Sequence, residues 1–83
     1  MELSAGGKPA TRKVRAGTAT VLTVEVVEAG LVEIPGLGLT KDATPASPAT
    51  FDVLSEKPGR FEVLFTPAGS QEARRVGTLR VRG

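Results

Sequence analysis

The chain contains no cysteine, histidine, tryptophan or tyrosine, and its single methionine is Met1. Without cysteine there is no disulfide framework, thiolate metal site or thiol nucleophile, and cysteine usage says nothing about redox compartment. Without histidine, Ser47, Ser55 and Ser70 have no imidazole to activate them. The carboxylates that remain are poorly arranged for acid–base work. Asp42 and Asp52 are separated by a proline-rich loop, Glu25 and Glu28 flank a strand end, and neither spacing forces a pair into one pocket. The chain is therefore expected not to be an enzyme. No apolar run approaches the ~20 residues that a membrane-spanning helix needs. Residues 1–4 run straight into polar sequence, without a signal-peptide pattern.

What is present suits one small domain, residues 1–83, with 40% hydrophobic residues, mostly Val, Leu and Ala with three Phe. Eleven Lys and Arg outweigh nine Asp and Glu, for a net charge of +2. The excess sits towards the two ends of the chain: Lys8, Arg12, Lys13 and Arg15 on one side, Arg74, Arg75, Arg80 and Arg82 on the other. A basic face can meet nucleic acid or anionic lipid. Single-strand binders, however, stack bases on aromatic rings, and Tyr and Trp are missing. Nucleic acid is accordingly disfavoured, and a solvated basic face is the simpler expectation.

The apolar pattern has period two. In residues 19–27, Leu22, Val24 and Val26 alternate with Val21, Thr23 and Glu25, as in a half-buried strand. Phe61, Val63 and Phe65 alternate with Arg60, Glu62 and Leu64, and Leu79 and Val81 with Thr78, Arg80 and Arg82. Residues 31–34 and 49–54 are shorter candidates, with Phe51 and Val53 pointing inward, and residues 1–4 and 11–14 are candidate edge strands. Turn signals at Gly6-Gly7, Ala16-Gly17, Ala29-Gly30, Pro35-Gly36, Pro58-Gly59 and Ala68-Gly69 divide these runs. Two prolines in residues 44–48 argue against a helix or central strand there. The one helical candidate, residues 71–75, is too short to stand alone. This is the signature of an all-β sandwich or barrel.

Two further motifs carry little. Thr40, Asp42 and Thr44 could supply oxygen ligands to a hard cation, but carboxylates are not clustered there, and an Asp stabilising its own turn is simpler. "GLGL" at residues 36–39 lacks the following Lys and helix start of a phosphate loop.

Four stretches in order resemble the cupredoxin family. They are "VRAGTATVLTVEV" (14–26), "LVEIPGLGL" (31–39), "ATFDVLSEKPGRFEVLF" (49–65) and "VGTLRV" (76–81), together spanning about four-fifths of the chain. The resemblance, to plastocyanin, azurin and cytochrome oxidase subunit II types, implies an antiparallel Greek-key β-sandwich of about seven strands. It places the family's first copper histidine near Gly30 and the cysteine at or next to Phe65. The second histidine falls in residues 66–73 and the axial methionine at Arg75. None of these is a copper donor. The implied function is a copper-free module without cofactor, acting as a structural or protein-interaction domain. The expected setting is an extracytoplasmic, periplasmic or membrane-associated assembly, a respiratory one among the candidates, with this chain a mature or excised piece of a longer exported or anchored protein.

By the same resemblance, the ligand end is the docking face. Leu37 and Leu39 are expected on a loop at that end, rimmed by Arg74 and Arg75, which would steer an acidic protein partner. Against this, Leu37 and Leu39 could simply seal a small core. Phe65 is expected to plug the space of the metal site. No small-molecule substrate is expected. The alternatives are an immunoglobulin-like or carbohydrate-binding accessory module, lacking that family's Trp and Cys pair and with no exposed rings for sugar, and a basic nucleic-acid-binding barrel.

Overall fold

Alternation of apolar and polar residues becomes strand at each of the runs named above, because one face of each can then be buried and the other solvated. The computed structural model describes residues 1–6 and 8–83, so Gly7 of the Gly6-Gly7 turn lies outside the described residues. Its strands are β1 (Glu2–Ser4), β2 (Ala10–Arg15), β3 (Thr20–Glu25), β4 (Gly30–Ile34), β5 (Leu39–Ala43), β6 (Ala49–Val53), β7 (Gly59–Pro67) and β8 (Arg74–Arg82). They form a three-stranded sheet, β1-β3-β6, facing a five-stranded sheet, β2-β8-β7-β4-β5. The all-β sandwich is thus the observed fold, with eight strands among the described residues. The antiparallel expectation is corrected at two pairings, β1 with β3 and β2 with β8, which are parallel because neither edge strand is joined to its neighbour by a hairpin; the rest are antiparallel.

The core is the sum of the inward faces. Leu22 and Val24 of β3, Val32 and Ile34 of β4, Phe51 and Val53 of β6, Val63 and Phe65 of β7 and Leu79 of β8 meet between the sheets and are fully buried. Phe61 is half-buried against the same cluster. Val21, on the opposite face of β3, is exposed, as the alternation requires.

Two elements depart from the sequence expectation. β5 carries no strand expectation, because "LTKDA" has only Leu39 and Ala43 as inward apolar residues, too thin a pattern to register as a strand. It is an edge strand, where polar residues on the solvent side are ordinary. The one-turn helical candidate at residues 71–75 is also corrected. Residues 71–73 are irregular, and β8 already begins at Arg74, because pairing with β7 supplies backbone partners that a single helical turn lacks.

Each open seam of the sandwich is bridged by a cation reaching a carbonyl on the facing sheet. Arg12 of β2 donates from Nε to the Glu2 carbonyl of β1 at 3.0 Å. On the other side Lys41 of β5 donates to the Thr50 carbonyl of β6, and its ammonium lies 5.8 Å from the centre of the Phe51 ring. These bonds occupy backbone acceptors that would otherwise be left open at sheet edges.

Candidate functional site

Of the four positions that the resemblance assigns to metal ligands, Gly30, Phe65 and residues 66–73 lie together at one end of the sandwich, while Arg75 faces outward from β8. Gly30 opens β4 and pairs with Pro67 near the end of β7, while Ala68 N–H donates to the Ala29 carbonyl at 3.0 Å. Arg74 stands opposite Phe65, and Arg75 opposite Leu64. Gly69, with φ of +81°, makes the turn between β7 and β8 that a side chain would strain.

Phe65 occupies the centre of this end. It is fully buried, and its ring lies directly against Gly30. A Cβ on Gly30 would stand 2.6 Å from Phe65 Cε1 and 2.5 Å from the Thr66 carbonyl oxygen, well inside contact distance. The glycine is therefore what lets the ring lie there. Outside the ring is a shallow depression of small groups, formed by Gly30, Leu31, Ala43, Thr66, Pro67 and Ala68 among others. Its lining is more apolar than polar and includes Leu31, which is half-buried.

The residues proposed from sequence as one docking patch are not together. Pro35–Leu37 forms a single 3-10 turn, started by Pro35 and ended by Gly38 at φ of +66°. That turn folds over Phe61, whose Cδ1 would lie 2.6 Å from a Cβ on Gly36. Leu37 therefore lies at the end of β4 away from Gly30 and the β7–β8 turn. Leu39 pairs with Ile34 and packs half-buried on the core. Arg75 is on β8, with β7 and β4 in between, roughly 14 Å across at the usual strand spacing. The resemblance carried the loop to the wrong end. Leu37 and Leu39 seal the core beneath the turn, and Arg74 and Arg75 do not rim them.

Arg74 and Arg75 are also separated from each other, since successive strand residues face opposite ways. Between Val63 and Leu64 the register shifts, so that Val63 pairs with Gly77 and Leu64 with Arg75, leaving Val76 as a bulge residue. The bulge buries Val76 and keeps Arg75 on the outer face with Thr78 and Arg80. Nothing in the linear pattern announced it except Gly77.

On that outer face the two basic ends of the chain become one. Parallel pairing of β2 with β8 sets Lys13 opposite Arg80 and Arg15 opposite Arg82, and antiparallel pairing with β7 sets Arg60 on the other side of Arg80. A groove across the three strands is lined by Lys13, Arg60, Arg75 and Arg80, with Glu62 its single carboxylate. Among the described residues, no three Asp or Glu side chains come together as a cation site.

No protein-family model and no curated protein matches the chain. Solved structures do match it. One is the NMR solution structure of a copper-binding protein in its apo form, which aligns over 99% of this chain and 85% of its own at a TM-score of 0.73 and 11% identity. The similarity is one of fold, and the fold is cupredoxin-like.

Proposed function

We propose that this chain is a copper-free cupredoxin-like module that works as a protein-interaction domain. The observation that carries this reading is the Phe65 ring, buried against Gly30 where the family's ligands would converge. A type 1 copper ion takes imidazole and thiolate donors. Here a glycine, a phenyl ring and a guanidinium stand at three of the corresponding positions, and residues 66–73 offer no histidine. The residues present do not fit copper.

Without that chemistry, the same end offers a contact surface. The small side chains from Gly30 to Ala68 expose a flat, mostly apolar depression, with Leu31 on it and the β7–β8 turn at its rim. Such a surface suits burial against a protein partner, where small groups permit close approach of the two backbones. An extracytoplasmic or membrane-associated parent assembly is part of this proposal and rests on the family resemblance.

The test is a titration of the full chain with Cu(I) against a competing chelator and with Cu(II), read by calorimetry and visible absorbance. The expected outcome is neither stoichiometric binding nor a thiolate charge-transfer band, and a melting temperature that copper leaves in place. Tight one-to-one binding that raises the melting temperature would overturn the copper-free reading.

A further inference from the structure

The outer face of β2, β8 and β7 carries an arrangement that folding does not favour. Lys13, Arg80 and Arg60 lie directly side by side on three adjacent strands, and Arg15 lies directly opposite Arg82. Like charges in direct cross-strand register are destabilising. Arg12 and Lys41 are engaged with carbonyls at the seams, so the face is not a mere spill-over of the chain's total charge. Arg75 is held on this face by the Val76 bulge.

We infer that this groove is a docking site for an acidic polypeptide segment. This rests on the reading of the chain as an interaction module and names its partner's chemistry. Three of the four cations lining the groove are arginines, whose planar forks match carboxylates in two-point contact. Arg80 in the groove and Arg82 just beyond it follow each other at alternate positions of β8, roughly 7 Å apart, the spacing of alternate side chains on an extended peptide. An extended segment with Asp or Glu at every second position therefore presents its carboxylates in step with them.

Glu62 decides between acidic polypeptide and nucleic acid. It stands in the groove opposite Thr78, between the Arg60–Arg80 row and Arg75. A phosphate backbone, charged at every step, meets repulsion there, whereas a polypeptide can carry an uncharged residue at the one facing position that meets Glu62. Nor does the face offer rings on which bases could stack: Phe51 and Phe65 are buried and Phe61 packs on the core.

The probe is a fluorescent peptide of alternating Glu and Ser, titrated by anisotropy against the full chain. Expected is binding that weakens several-fold from low salt to about 0.15 M. A Lys13→Thr/Arg80→Thr double variant should lose about tenfold or more in affinity, each lost charge-assisted contact contributing, while its melting temperature rises. Glu62→Gln should tighten the peptide. No peptide binding, or affinity unmoved by the double variant, overturns the inference. Tighter binding of duplex oligonucleotide or of anionic phospholipid vesicles at the same salt overturns it as well. Failure here with copper still unbound leaves the module reading standing, whereas stoichiometric copper binding strikes that reading and not the charge pattern.

Discussion

Phe65→Ala is expected to cost about 3–5 kcal/mol, the range for emptying a fully buried phenylalanine site. Phe65 is, with Phe51, one of the two largest side chains completely enclosed in this core. Its loss would leave a void whose walls are β4, β7 and the turn after β7. Those walls cannot easily collapse, because Gly30 has no side chain to move in and the Thr66 carbonyl is held in the sheet. Total stability for a chain of 83 residues is on the order of 4–12 kcal/mol, so the variant should sit near the edge of folding. Urea unfolding of wild type, Phe65→Leu and Phe65→Ala checks this. The leucine variant, which retains most of the volume, should lose about 1–2 kcal/mol. An alanine variant within 1 kcal/mol of wild type would mean that the ring does not close this end.

The second large effect is expected at Gly77. A Cβ there would lie 2.5 Å from the Ala10 carbonyl oxygen and 3.0 Å from a terminal methyl of Leu3. The obstacle is backbone on one side and the short β1 strand on the other, at the place where β2 pairs with β8. Gly77→Ala should therefore push β2 off β8 and lift Leu3 from the core, costing about 1–3 kcal/mol. Gly17→Ala is the control. Its obstacle is only the positive φ of +79°, with open space around it, and its cost should stay near 1 kcal/mol. Thermal unfolding of both variants separates the two. Equal losses would show that the sandwich does not close tightly at Gly77.

How far the sequence carried can be read from particular residues. Leu22, Val24, Phe51, Val53, Val63, Phe65, Leu79 and Val81 all point inward as their alternation implied, because a strand's period of two leaves only one way to bury them. The burial of Phe65 follows from its alternation with Glu62 and Leu64, whereas its place beside Gly30 depends on the pairing of β4 with β7. β5 was not legible, since an edge strand with solvent on one side needs few apolar residues. The basic groove was hidden because it depends on parallel pairing of β2 with β8, residues nearly a full chain apart, and on a bulge at Val76 that shifts Arg75. Charge counts along the chain located both clusters but held no information on whether they meet. Leu37 and Leu39 were misplaced because a loop was carried over by motif order, whereas Pro35 and Gly38 close it into a tight turn over Phe61.

The packing of the Phe65 ring on Gly30 is the feature on which the copper-free reading depends. Proton NMR of the full chain measures this directly. The account predicts strong cross-relaxation between the Gly30 Hα protons and the Phe65 ring Hε and Hζ protons, with at least one Hα displaced by the ring current. Gly30 Hα protons at ordinary shifts, with no cross-peaks to Phe65, would mean that this end is open and would contradict the packing of the Phe65 ring on Gly30.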